Sequence, residues 1–248
     1  MSENPYLTPQ TSAAPTSPLP RHPGQGSPYG PYRNTEPLAM TLVVLFGLNL
    51  LLVLFNLVWS LYELKAGRTV GFQYNSPEYE AYSQMHVLST LGLGAINLLI
   101  IIIWCIWMNK SCKNAWLINS RDGATALYRG RETFTPGWSV GWYFIPIANL
   151  WKPYQAMAWI RDASQKSLGL AMGKRVGLWW AFFVSMKITE RIVMGFGRQA
   201  ETLEDILMVN RLIVVLTPVD IAAAVFAMLM AYRMTKIQKV RATELGLR

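Results

Sequence analysis

Residues 38–61 read LAMTLVVLFGLNLLLVLFNLVWSL, 24 positions without a charged side chain. At about 1.5 Å per residue, a helix of that length covers a hydrocarbon core of roughly 30 Å. Residues 87–108 (VLSTLGLGAINLLIIIIWCIWM) repeat the pattern, with Lys110 and Lys113 following at once. Residues 212–232 (LIVVLTPVDIAAAVFAMLMAY) form a third run with one acid, Asp220. Residues 176–197 (VGLWWAFFVSMKITERIVMGFG) form the weakest, interrupted by Lys187, Glu190 and Arg191. Such runs are too long for a soluble core. The composition agrees: 52% of the 248 residues are hydrophobic and 15% charged, against roughly 25% charged in an ordinary globular domain. The expectation is an all-α polytopic membrane protein, a bundle of four transmembrane helices arranged as two hairpins.

The net charge of +9 could suggest a nucleic-acid partner, but the placement of the charges argues against one. Lys and Arg gather beside the apolar runs, where they orient a membrane protein and attract anionic lipid headgroups. Residues 109–175 carry ten Lys/Arg against three acids, and 233–248 carry five against Glu244. Residues 62–86 carry two against three, and 198–208 carry Arg198 against Glu201, Glu204 and Asp205. The positive-inside rule then puts 109–175 and both termini in the cytoplasm, as for a multi-pass protein of the inner (plasma) membrane. Omitting the charged run 176–197 would force a basic segment outside, so the alternation supports it as a crossing.

Residues 1–37 hold nine of the fourteen prolines. Such a segment buries too little apolar surface to offset its ordering entropy, so a disordered cytoplasmic tail is expected. A signal peptide is excluded because the first apolar run is too long and lacks a small-residue cleavage site. A membrane domain over 38–235 and a basic cytoplasmic tail over 236–248 complete the division. Cys105 and Cys112 stand seven residues apart along one helix, a poor geometry for a disulfide. His22 and His86 have no cysteine or carboxylate cluster around them, so neither a metal nor another cofactor is expected.

Residues 134–159 read FTPGWSVGWYFIPIANLWKPYQAMAW, with eight aromatics in 26 positions. The apolar stretch from Trp138 to Trp151 is too short to span and contains Pro146. Trp and Tyr favour the headgroup zone, where an apolar ring and a polar N–H or O–H are both satisfied. An interfacial segment over 134–165 is expected, in the plane of the membrane, re-entrant, or packed across the helix ends. Its marked residues are Trp138, Trp142, Pro146, Asn149, Trp151, Pro153 and Tyr154. Pro153 suits the first turn of a helix. Tyr154, Met157 and Ile160 would then share one face, with Arg161 and Lys166 able to reach lipid phosphates. Asp162 beside Arg161 reads as a solvated pair.

The stretches SCKNAW, PGWSVGWYFIPIANLWKPYQAM and RDAS, within Lys110 to Ser164, resemble the signature of bacterial integral membrane proteins grouped as domain of unknown function 4328. The resemblance covers roughly residues 40–240. It implies a multi-span membrane protein and carries over no catalytic residue. Lys187, Glu190 and Arg191 depart from it, because a mostly apolar helix would follow Trp179 and Trp180.

Charges inside a span are costly and need partners. Counting from the outer turn, Lys187 and Asp220 fall at equal depth and are expected to face each other, with Glu190 able to share Lys187 and Arg191 nearer the outer edge. The cluster reads either as a proton or ion path or as a pair that sets the register of one hairpin. Asn49 and Asn97 lie near the centres of the first two spans and are placed to hydrogen-bond to each other. Ala223, Ala227 and Ala231 mark a close-packing stripe, and Pro218 a kink. The chain has no phosphate-cradling glycine loop, zinc spacing or Ser/His/Asp set. A non-enzymatic structural, regulatory or partner-binding role is therefore expected, with an unknown protein or a second copy as partner. The alternative is a small transporter or channel.

Overall fold

The computed structural model describes residues 27–66, 77–121, 133–165, 170–200 and 202–248. Residues 1–26 with His22, 67–76, 122–132, 166–169 with Lys166, and 201 lie outside these. The described chain is all-α. Helix α1 spans Glu36–Ala66, α2 Pro77–Arg121, the single turn α3 Trp138–Gly141, α4 Lys152–Ser164, α5 Leu170–Gly197 and α6 Leu203–Glu244. Three of them, α1, α2 and α6, are long and apolar enough to cross a membrane. Helix α5 has the length, but its charges keep it out of that group, so the fourth crossing is not established by length and composition.

The helices overrun the expected spans. α2 has 45 residues and α6 has 42, about 60–70 Å each at 1.5 Å per residue. That is twice the thickness of a hydrocarbon core. α6 starts in a capping box: the Thr202 hydroxyl accepts from the Asp205 N–H, and the Asp205 carboxylate accepts from the Thr202 N–H. It runs unbroken through Pro218. It ends at Gly246, whose φ of +64° takes the left-handed turn that lets the Leu247 N–H reach the Ala242 carbonyl.

Helix α1 packs on both α2 and α6, and α6 on both α1 and α5. Ala223, Ala227 and Ala231 are all buried and form the expected close-packing stripe along α6. Within the apolar stretches of α1, α2 and α6 only 22% of each is buried, so most of that surface faces outward and needs an apolar solvent. The fully buried large side chains gather instead at the basic end, where α2 and α6 run past the bundle and α4 packs between them. They include Trp107, Met108 and Ile118 of α2, Met157 and Ile160 of α4, and Met234 of α6. Each such side chain contributes about 1.5–3 kcal/mol.

One open alternative is decided here and two expectations are corrected. Met157 and Ile160 are buried in this core, because α4 turns that face onto α2, not onto lipid. Arg161 and Asp162 pair at 2.6 Å with only 13% and 10% of their side chains exposed, so Arg161 is engaged and the pair is not a solvated one. Residues 27–35, which composition assigns to the tail, are packed as well. Arg33 is clamped through its backbone: its N–H donates to Asn114 Oδ1 (2.9 Å), and its carbonyl accepts from Asn114 Nδ2 (2.8 Å). Thr35 is fully buried, and Tyr29 sits edge-on to Trp116 at 5.8 Å. Polar Asn114 therefore replaces hydrophobic burial as the anchor for a proline-rich strand.

Candidate functional site

Pro136, Gly137, Gly141 and Pro146 break the aromatic stretch into single turns. Ile145 is extended (φ −97°, ψ 112°), the backbone favoured for a residue before proline. The turns 138–141, 142–144 and 148–150 form a platform packed on the flank of α2 and on α4, with a bond from α5. These contacts lie along α2 between Trp104 and Trp116 and at Trp180 of α5, so the segment is packed on helices, a contact common to all three readings open from the sequence.

Hydrogen bonds from α2 and α5 fix the platform. The Phe134 carbonyl accepts from Trp116 Nε1 at 2.8 Å and from the Cys112 thiol at 3.4 Å. The Pro136 carbonyl accepts from Asn109 Nδ2 at 2.9 Å. The Tyr143 hydroxyl accepts from Trp104 Nε1 at 3.2 Å, and burial there pushes the phenol's pKa up. Trp180 Nε1 donates to the Leu150 carbonyl at 3.0 Å. Lys152 places its ammonium 5.4 Å from the Trp142 ring and 5.8 Å from Phe134. Trp142 packs on Trp138 at 4.7 Å. Beneath the platform Trp104 stacks on Trp179 at 5.6 Å, the aromatic contact that joins α2 to α5.

The other side of the platform is bare. Trp138, Phe144, Ile145, Ile147, Leu150 and Trp151 are all exposed, Ile147 to 71%. Pro146 is exposed too, Asn149 and Tyr154 are half-buried, and Pro153 is buried in the first turn of α4. A rigid backbone thus presents a contiguous apolar surface, which in water would mark an interaction site.

The polar groups of the bundle fall into two sets. Asn49 Nδ2 donates to Asn97 Oδ1 at 3.0 Å, the contact that the spacing predicts, worth about 0.6–2 kcal/mol in a membrane. Ser89 adds a bond to Asn56 at 3.1 Å. The second set differs from expectation. Lys187 closes on Glu190 of its own helix at 2.8 Å and lies 5.9 Å from the Phe183 ring. It makes no ion pair with Asp220, whose Oδ1 is buried without a donor. Phe182 stacks on Phe226 at 5.3 Å, so Lys187 and Asp220 do stand at one level. Glu190 is nevertheless reached one turn along the same face. Lys187 and Glu190 are 50% and 40% exposed, which puts the pair on the outside of the bundle and not in an enclosed channel. Arg191 is exposed beside it.

The basic end holds polar residues that the sequence did not single out. Gln238 is fully buried and donates to the Ser111 carbonyl (2.8 Å) and to Ser164 Oγ (3.0 Å), tying α6 to α2 and α4. Trp107 Nε1 donates to Thr235 Oγ1 at 2.9 Å. Glu36 and Lys239 pair at 2.6 Å. At the opposite end Asn210 donates to Glu63 at 2.6 Å. These partners are more than a hundred residues apart in most cases. Only the alternation of helix directions hinted that α1 and α6 could meet.

Fold and site together define an all-α protein with helices long and apolar enough to cross a membrane and an aromatic platform packed on α2 and α4. The chain belongs to the family described as Domain of unknown function (DUF4328), whose profile matches residues 81–236. That range includes the platform, α4 and α5. No curated protein and no solved structure matches the chain significantly.

Proposed function

We propose that this is a four-pass protein of a bacterial inner membrane, with both termini in the cytoplasm. Its non-enzymatic role is structural or regulatory, exercised by docking a membrane partner on the aromatic platform. The observation that carries this reading is the two-sidedness of residues 134–151: anchored to α2 and α5 by five side-chain hydrogen bonds on one side, bare and apolar on the other. Such a surface is at home at the headgroup level, where Trp is favoured, and is preorganised for a partner. Helix α5 is taken as the fourth crossing because it lies antiparallel along α6 and because the loop charges then alternate correctly.

A photo-reactive residue replacing Ile147 tests the reading, with one replacing Val215, exposed on the apolar part of α6, as reference. A protein adduct is expected from position 147 and lipid adducts alone from position 215. Changing Phe144, Ile147 and Leu150 together to Ser removes only exposed side chains. It should leave Tm unchanged and abolish recovery of the crosslinked partner. Lipid adducts alone at both positions reject the docking role. The transporter reading has weaker support, since Lys187 meets Glu190 on an exposed face.

A further inference from the structure

The register of α5 against α6 is set by the Phe182–Phe226 stack. Seven residues, or two turns, further toward the basic end stand Arg175 on α5 and Arg233 on α6. They bound a cavity of about 100 Å³ whose remaining wall is Phe226, Leu229 and Met230 of α6. Among the described residues no acid lines it, and neither guanidinium has a carboxylate partner. This sets it apart from the larger cavity beside it, where Lys239 is neutralised by Glu36 and Glu244 also lines the wall. Both arginines stand just beyond the apolar runs 176–197 and 212–232, at the level of inner-leaflet headgroups. The apolar wall continues from them toward the bilayer centre.

We propose that Arg175 and Arg233 clamp the phosphate of an anionic inner-leaflet phospholipid, with its acyl chain lying against Phe226, Leu229 and Met230. Two arginines lining one small space can supply guanidinium forks to a phosphate, and the apolar wall beneath suits a chain. The site takes α5 and α6 as crossing helices but is independent of the platform and its partner.

The test uses the full-length chain in mild detergent, titrated with short-chain phosphatidylglycerol or phosphatidylcholine and read as Kd. Phosphatidylglycerol should bind more tightly. Replacing both residues (Arg175→Gln with Arg233→Gln) should weaken it roughly thirtyfold, about 1 kcal/mol per arginine. Lys236→Gln with Lys239→Gln removes the same charge from the neighbouring cavity and should change Kd less than about twofold. Arg175→Lys with Arg233→Lys keeps the charge but not the fork, and should lose about fivefold. That pair reads the clamp even if the Gln pair fails to fold. Equal losses in the Arg→Gln and Lys→Gln pairs, an unchanged Kd with lysines, or no preference between the two lipids would overturn the proposal. Displacement of lipid by inorganic phosphate would overturn it too, by assigning the site to a soluble anion.

Discussion

Gln238 shows how a single polar residue can organise the basic end. It is fully buried, and its amide joins three helices through Ser111 and Ser164. Gln238→Leu would strip the Ser111 carbonyl of a buried donor. The expected cost is about 1–3 kcal/mol, seen as a fall in Tm in detergent with the helical content unchanged. An unaltered Tm would mean that the contact contributes nothing net. Lys187 makes the converse point. Its partner is chosen by proximity along one helix, since Glu190 lies one turn away, whereas Asp220 must be reached across a helix interface.

At the scale of elements, α5 is the unusual member. Its Lys187–Glu190 pair is about half exposed, so solvent or headgroup screening limits what the pair contributes. In hydrocarbon, each charge would cost about 2.5–3.5 kcal/mol on insertion scales. Isolated α5 is therefore expected to insert best as the Lys187→Leu/Glu190→Leu double variant, less well as Glu190→Leu alone and least well as wild type, because the screened pair offsets less than the second charge costs. A translocon-insertion assay that ranks wild type above Glu190→Leu would contradict this order and show a pair that outweighs the cost of its second charge. The platform is the opposite kind of element: too short and too interrupted to be a helix, it takes its shape from donors on α2 and α5.

For the whole molecule, the topology makes a prediction that needs no knowledge of partners. In a background with Cys105→Ala and Cys112→Ala, Gln199→Cys in the turn between α5 and α6 should react with an impermeant maleimide in intact cells. Thr243→Cys near the end of α6 should react only after lysis. Labelling of Thr243→Cys in intact cells would reverse the orientation. Because α1, α2 and α6 run in alternation, with Glu36 beside Lys239 at one end and Glu63 beside Asn210 at the other, the two reporters sit at opposite ends of one bundle.

The sequence by itself determined the apolar runs, the charge asymmetry between their ends and the broken, Trp-rich character of residues 134–151. These follow from composition and local spacing, which a bilayer reads almost directly. The Asn49–Asn97 bond was legible for the same reason, since two asparagines near the centres of one hairpin have few other partners. Tertiary structure alone decided which apolar faces are core. Lipid-facing and protein-facing positions are equally apolar in a membrane helix, so no amphipathic period separates them. It also decided that Met157 and Ile160 are interior, that residues 27–35 are docked by Asn114, and that Lys187 turns to Glu190. The first two depend on contacts between distant segments, which leave no mark in the local sequence; the third is a choice between two partners that the sequence itself offers.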